Sequence, residues 1–210
     1  MKIYGHYMSA PANQVRLTAS ALGQDYDYVH VDLGAGEQKS PDYLTVNRFG
    51  RVPAMDDNGF KLAESGAISR YLACKSDCAA YPKDPQKRAE IDQWMDFSAH
   101  HIRANMGKVL FNKVFAPMFE MEADQKSLDE GVENLNNNLP VLDAQLAKTP
   151  FATGDALTIA DTALISAMEP FEMIEYDLSA TPNVAKYRER IAGEDWYKNV
   201  HAHYAAEMNG

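Results

Sequence analysis

An acidic residue followed by a hydroxyl, Glu64-Ser65, stands at the start of a segment whose apolar residues recur at helical spacing. These apolar residues are Ala67, Ile68, Tyr71 and Leu72. The first N–H groups of a helix have no partner inside it, and the helix dipole makes this end attractive to anions. The pair can therefore cap the helix itself, or present the N–H groups to the carboxylate of a ligand.

A β-hairpin is predicted to lead into this helix. Two short apolar runs between residues 55 and 62 flank Asn58-Gly59, a pair favoured in two-residue turns because both central positions need positive φ. Pro53 stands just before the first run. Proline has no N–H group and is therefore confined to the start or the edge of a strand. The Val52–Pro53 peptide bond is a candidate for the cis form.

The residues before the hairpin predict a strand, a helix and a second strand. This order is typical of a parallel strand pair joined by a right-handed crossover. Glycine and proline then interrupt a polar segment, which is predicted to be a loop with one short helix. The four segments span 2–5, 13–22, 26–33 and 34–47.

The second half of the chain is predicted to be helical. Pro82 and Pro85 mark residues 79–86 as a linker. Thr158, with Asp161 three residues later, is a variant of the capping box ahead of an apolar run. The other helices are predicted, from the spacing of their apolar residues, at 87–115, 128–146, 182–191 and 194–206.

The order Val52-Pro53, hairpin, Glu64-Ser65 resembles the glutathione-binding half of the cytosolic glutathione S-transferases. Thr158 with Asp161 resembles their C-terminal capping motif, so the resemblance covers nearly the whole chain. It implies an α/β thioredoxin-like domain at 1–78, a linker at 79–86 and an all-α domain at 87–210. It also implies a cytoplasmic, homodimeric detoxification enzyme that conjugates glutathione to small hydrophobic electrophiles, similar to the bacterial, serine-type members near the theta, phi and nu classes.

Such a transferase must keep the thiol of glutathione ionised. A free thiol has a pKa near ~8.5, and lowering it by about two units requires roughly 2.7 kcal/mol. One or two hydrogen bonds to the thiolate are of this size. By the resemblance, Ser9, which stands seven residues before Arg16, is expected to donate such a bond. Tyr4 and Tyr7 are the alternatives, because other classes of the family use a tyrosine near the end of the first strand.

The resemblance also implies contacts along the rest of the tripeptide. Ser65 is expected to bind the γ-glutamyl carboxylate and Glu64 the ammonium group. Val52, just before Pro53, is expected to pair its backbone with the cysteinyl unit, as an added strand would. The two basic residues expected to meet the glycine carboxylate are Lys39 and Arg51.

The electrophile pocket is expected between the Ser9 loop and the long helix that begins near residue 87. Its candidate lining residues, which are also compatible with an ordinary helix core, are Tyr7, Arg103, Met106 and Phe111. They do not indicate a particular electrophile. Two other functions fit the same motifs. One is glutathione-dependent reduction of peroxides or disulfides, and the other is a non-catalytic binding protein that retains the fold.

Charge and composition narrow the partners. A formal net charge of −10 disfavours nucleic acid and anionic membranes. The absence of an apolar run of ~20 residues and of a secretory h-region favours the cytoplasm. Cys74 and Cys78 are expected to be reduced thiols, since their spacing is neither a zinc nor a redox pattern. Adjacent histidines on a helix, such as His100 and His101, point about 100° apart. No metal site is therefore expected.

Overall fold

The structure, a computed structural model, describes the backbone of residues 1–208 and the side chains of residues 1–201. The chain divides into two compact units. One unit consists of Met1–Pro82 and the residues from Ala192 onward, and the other is Lys83–Ile191. Among the described residues, no helix is both long and apolar enough to cross a membrane.

The first unit is built on a sheet of strand order β2-β1-β3-β4, in which β1 and β2 are parallel and the other neighbours antiparallel. The predicted strand–helix–strand order and the hairpin are confirmed. Strand β2 is shorter than the alternation predicted, because it pairs only with the four residues of β1. The elements are β1 (Lys2–Gly5), α1 (Ala10–Ala21), β2 (Asp27–His30), a 3₁₀ turn (Glu37–Lys39), α2 (Pro41–Leu44), β3 (Ala54–Asp57), β4 (Phe60–Ala63) and α3 (Ser65–Ser76).

Helices α1 and α3 are joined by a buried polar seam. The Gln14 side-chain amide donates to the hydroxyl of Ser69 (3.4 Å), and the hydroxyls of Ser69 and Thr18 lie 3.1 Å apart. Close packing also depends on Gly5, where an added Cβ would lie 2.7 Å from the Cβ of Ala12. The apolar side chains buried with these helices are Ile3, Val15, Ala19, Met55, Ile68 and Leu72. The seam fixes the start of α1 relative to the start of α3.

The second unit is helical. The predicted helix over 87–115 is a continuous helical run that contains two π segments, in which the hydrogen bonds span one residue more than in an α-helix. Pro117 lies inside its last short piece. The elements are α4 (Pro85–Phe97), π segments (Ser98–Arg103 and Phe111–Phe115) on either side of α5 (Ala104–Leu110), α6 (Ala116–Met118), α7 (Gln125–Leu146), α8 (Ile159–Met168), a 3₁₀ turn (Glu169–Phe171) and α9 (Pro182–Ala192).

The capping box predicted at the start of α8 is confirmed. The carboxylate of Asp161 accepts hydrogen bonds from the N–H of Thr158 (2.8 Å), the N–H of Ala152 (2.9 Å) and the hydroxyl of Tyr187 (3.0 Å). Burial raises the pKa of Asp161, and these donors oppose the shift. All ten residues of α8 are buried, so this carboxylate organises the centre of the helical unit.

The last helix, α10 (Asp195–Met208), packs on α1 in the first unit. The hydroxyl of Ser20 donates to the carbonyl of Trp196 (2.8 Å), and Arg16 donates to the carbonyl of Val200 (3.0 Å). The sequence predicts one helical domain over 87–210, whereas this helix packs with the first unit. Its contacts with α1 depend on tertiary packing that helical periodicity does not report.

Candidate active site

Three loops meet at one end of the sheet. Tyr4 of β1 pairs with Ala54 of β3, and Ala54 pairs with Ala63 of β4. Because β3 is antiparallel to both neighbours, the end of β1, the start of β3 and the end of β4 lie side by side. The segments that leave these strand ends carry Ser9, Val52-Pro53 and Glu64-Ser65.

The loop before β3 is held by two hydrogen bonds to one carbonyl. The Arg51 carbonyl accepts from the hydroxyl of Tyr43 (2.7 Å) and the side-chain amide of Asn47 (2.6 Å). Burial raises the pKa of Tyr43 to about 12, so its hydroxyl keeps its proton near neutral pH. The Val52–Pro53 bond that follows is cis, with Val52 half-buried and Pro53 buried.

The turn between β4 and α3 has an unusual backbone at Glu64, with φ 69° and ψ 116°. Side chains other than glycine rarely adopt positive φ, and such outliers cluster at functional sites. The Glu64 carbonyl accepts the first helical bond from Ile68 (2.9 Å), while its exposed side chain makes no capping bond. Ser65 is the first residue of α3 and is buried. The carboxylate of Glu64 is therefore not used as a helix cap.

Ser9 is the N-cap of α1. Its Oγ accepts from the N–H of Ala12 (3.4 Å), and its own N–H donates to the carbonyl of His6 (2.9 Å). A hydroxyl that accepts one hydrogen bond still has a proton to donate. The side-chain amide of Asn13 donates to the carbonyl of Tyr7 (3.0 Å) and so ties the preceding loop to α1. Ser9 is half-buried and held in place, with its O–H available as a donor.

The two tyrosines considered as alternatives to Ser9 both take part in aromatic packing. Tyr4 lies within β1, with its ring edge against Tyr43 at 6.2 Å between ring centres. The ring of Tyr7 stacks on His30 at 5.1 Å, and the guanidinium of Arg16 lies 5.0 Å from the centre of the same ring. The choice of Ser9 over either tyrosine stays a prediction.

His6 lies in the loop between β1 and Ser9, and no motif in the sequence indicated it. Its Nδ1 accepts from the N–H of Met8 (3.2 Å), which requires an unprotonated ring nitrogen. Burial and the nearby His30 lower the pKa of His6, and Asp32 opposes them. Neutral His6 therefore stabilises the turn that leads to Ser9.

The basic residues predicted for the glycine carboxylate flank the loop before Pro53. An added Cβ on Gly50, which has φ 58°, would lie 3.0 Å from the Nζ of Lys39. The ammonium of Lys39 is thus next to this loop, and Arg51 is exposed on it. Gln38 is a further candidate that the sequence pattern did not indicate. Its Oε1 is buried and, among the described residues, has no hydrogen-bond partner.

Comparison with known proteins agrees with this arrangement. Residues 1–74 match the model of the glutathione S-transferase N-terminal domain, and residues 108–195 match that of the C-terminal domain. Glutathione S-transferase 1 of Zea mays is 34% identical over 79% of this chain and 78% of its own length. Glutathione S-transferase F10 of Arabidopsis thaliana is 30% identical over 93% of this chain and 94% of its own. The chain belongs to the glutathione S-transferase family.

A solved structure similar to this chain contains a glutathione conjugate. Glutathione S-transferase I from maize, in complex with an atrazine glutathione conjugate, has a TM-score of 0.84 and 30% identity to this chain. The match covers 96% of each chain. The glutathione S-transferase fold predicted from the sequence, with its thioredoxin-like and helical domains, is confirmed.

A glutathione S-transferase also needs a site for its electrophile. Of the residues predicted to line it, Arg103 is half-buried in the first π segment, Met106 is only 2% exposed in the helical unit, and Phe111 is 41% exposed. Phe111 is the first residue of the second π segment. Further large apolar side chains are exposed where the helical run ends, namely Met118, Phe119 and Met121. Phe111 is therefore better placed than Met106 to touch a ligand.

The cysteines and histidines whose side chains the structure describes form no cluster that could bind a metal ion. Within the described residues, no group of three or more His, Cys, Asp or Glu side chains is close enough to hold an ion. Cys74 is exposed and Cys78 half-buried, and the structure shows no disulfide between them. In the family reaction, the chemically active sulfur belongs to glutathione, the co-substrate.

Proposed function

We propose that this glutathione S-transferase conjugates glutathione to small hydrophobic electrophiles, and that it is a serine-type member of the family. The observation that supports the proposal best is the strand register. It places the Ser9 loop, Val52-Pro53 and Glu64-Ser65 together at one end of the sheet.

In the proposed mechanism, Ser9 activates the thiol. Its Oγ is held by the N–H of Ala12, and its O–H donates to the sulfur of glutathione. A hydrogen bond to an ionised group stabilises it by about 1.5–3 kcal/mol, close to what a thiol pKa near ~6.5 requires. The thiolate then attacks the electrophilic carbon, forming a C–S bond while the leaving group departs with its electron pair. The thiol proton goes to solvent.

The rest of the tripeptide is proposed to lie along the same sheet end. Ser65 receives the γ-glutamyl carboxylate at the start of α3, and Glu64, which does not cap the helix, receives the ammonium group. Val52 pairs its backbone with the cysteinyl unit beside Pro53. The ammonium of Lys39 next to Gly50 favours a carboxylate there, and we place the glycine end of glutathione near Lys39 and Arg51.

The proposed assembly is a cytoplasmic homodimer with a glutathione-binding domain at 1–78, a linker at 79–86 and a helical domain at 87–210, whose last helix, α10, packs on α1. Exposed aromatic and aliphatic side chains of the first unit support a subunit interface, since such groups are usually covered. They are Leu44, Phe49 and Phe60. Cys74 and Cys78, which are not joined in a disulfide, support a reducing compartment. Light scattering coupled to gel filtration tests the dimer.

The decisive experiment is a calorimetric titration with glutathione, followed by turnover assays with an aryl halide, a hydroperoxide and a mixed disulfide. We expect saturable binding and the fastest turnover with the aryl halide. Ser127, in the first turn of α7, offers a matched control, and Ser127→Ala should change neither binding nor rate. An absence of glutathione binding would contradict the proposal, and faster reduction of the peroxide or disulfide would replace conjugation by reduction.

A further inference from the structure

Arg16 is a buried cation that has no anionic partner among the residues whose side chains the structure describes. It lies in the middle of α1 and is only 2% exposed. Its guanidinium lies 5.0 Å from the ring centre of Tyr7 and 4.4 Å from that of Tyr28, so both ring faces attract the charge. Its hydrogen bonds go to neutral oxygens, the side chain of Asn13 (3.4 Å) and the carbonyl of Val200 (3.0 Å).

The third nitrogen of this guanidinium, Nε, is buried and has no hydrogen-bond partner in the described part of the chain. None of the carboxylates in the described part of the chain forms an ion pair with Arg16. Burying a charge is costly unless an opposite charge and hydrogen bonds compensate it. Two aromatic faces and two neutral acceptors compensate only in part, which leaves Arg16 receptive to an anion.

Arg16 lines an open cleft of about 690 Å³ within the first unit. This volume is in the range of sites for small organic ligands and is far larger than an inorganic ion needs. The cleft lies at the outer edge of the sheet, beside β2, whereas Pro53 and Ser65 adjoin β3 and β4 at the other side. Its aromatic and polar walls include Tyr7, Tyr26, Tyr28, Gln24 and Asn199.

The walls also restrict the charge of a ligand. Asp25 and Asp27 are exposed and line the same cleft, so they repel a second negative charge. Planar guanidinium groups pair best with carboxylates, and tyrosine rings favour an aromatic partner. We propose that this cleft is a second ligand site, which binds a small aromatic monocarboxylate with its carboxylate toward Arg16 and its ring against the tyrosines.

The test uses benzoate as the probe, with two compounds that each lack one of its features. Benzamide has the ring without the charge, and acetate has the charge without the ring. In calorimetric titrations of the full-length protein, we expect saturable benzoate binding and at least roughly tenfold weaker binding of the other two. Saturating glutathione should leave the benzoate affinity unchanged. Absence of benzoate binding, or displacement of benzoate by glutathione, would overturn the proposal.

Variants of the cleft test the assignment of the charge. Arg16→Met should weaken benzoate binding at least about tenfold, and Arg16→Lys should weaken it less, because the charge remains without the planar fork. If Arg16→Met does not fold, the exposed pair Asp25→Asn and Asp27→Asn serves instead, and it should tighten benzoate binding by removing repulsion. Unchanged affinity in the Arg16→Met protein, or in the double Asp variant where it is used, would place the ligand elsewhere.

Discussion

The hydroxyl of Ser9 serves both as a helix cap and as the proposed donor to sulfur, and these two roles predict separate effects of its removal. Ser9→Ala should raise the pKa of bound glutathione and lower turnover by roughly 10- to 100-fold, the kinetic equivalent of one hydrogen bond to a charged group. Loss of the cap should lower the free energy of unfolding by about 1 kcal/mol. Glutathione affinity should change little. Thiolate absorbance against pH measures the first effect, and an unshifted profile would exclude Ser9 from thiol activation.

Ser65 is predicted to act on binding. Ser65→Ala should weaken glutathione affinity by roughly tenfold or more, because a buried hydroxyl at the start of α3 no longer meets the γ-glutamyl carboxylate. Turnover at saturating glutathione should stay close to that of the parent protein. Calorimetry checks the affinity. Unaltered affinity would show that the carboxylate binds elsewhere.

His6 makes the loop before Ser9 sensitive to pH. Its pKa is lower in the folded chain than the ordinary value of 6.5, so the unfolded chain takes up the proton first as the pH falls. The free energy of unfolding should therefore decrease below about pH 6.5 until the lower folded value is passed. Protonation also removes the acceptor used by the N–H of Met8.

Urea unfolding between about pH 7.5 and pH 5.5 measures this dependence. His6→Gln keeps an acceptor for Met8 without titrating in this range, so its stability should vary less with pH. His100→Gln, an exposed histidine in the helical unit, is the control and should match the parent protein. An equal pH dependence in the His6→Gln protein would contradict the prediction.

At the scale of the elements, the start of α8 depends on the side chain of Asp161. Asp161→Ala removes the acceptor of the Thr158 and Ala152 N–H groups and of the Tyr187 hydroxyl, all of which are buried. We expect a loss of roughly 3–5 kcal/mol in the free energy of unfolding. Asp161→Asn, which keeps one acceptor oxygen, should lose less. The exposed Asp155→Ala is the control, and denaturation curves that coincide for all three variants would refute this role.

The elements predictable from the sequence are those set by neighbouring residues. The Asn58-Gly59 turn and the Thr158–Asp161 box each need only a few adjacent positions, and both occur as expected. The π segments escaped prediction because one extra residue per turn hardly disturbs the spacing of apolar residues over 87–115. The φ of Glu64 also has no sequence signal, since glutamate gives no reason to expect a left-handed backbone.

At the scale of the whole molecule, the burial of Arg16 could not be predicted because its partners are distant in sequence. Val200, whose carbonyl accepts from Arg16, is 184 residues away. A charged residue in the first helix would ordinarily face water. Here the aromatic rings of a loop and a strand, together with a backbone carbonyl of α10, enclose it. The same distance explains why helical periodicity does not indicate the packing of α10 on α1.

The packing of α10 on α1 also has a consequence for how the protein is made. The residues of α1 leave the ribosome long before Trp196 and Val200 exist. At about 5–20 residues per second, the 184 residues that separate Arg16 from Val200 take on the order of 10–40 s to translate. During that interval the first unit lacks α10, the helix that packs on α1. The packing of this unit is therefore completed only after α10 has been synthesised, although its first 82 residues are made first.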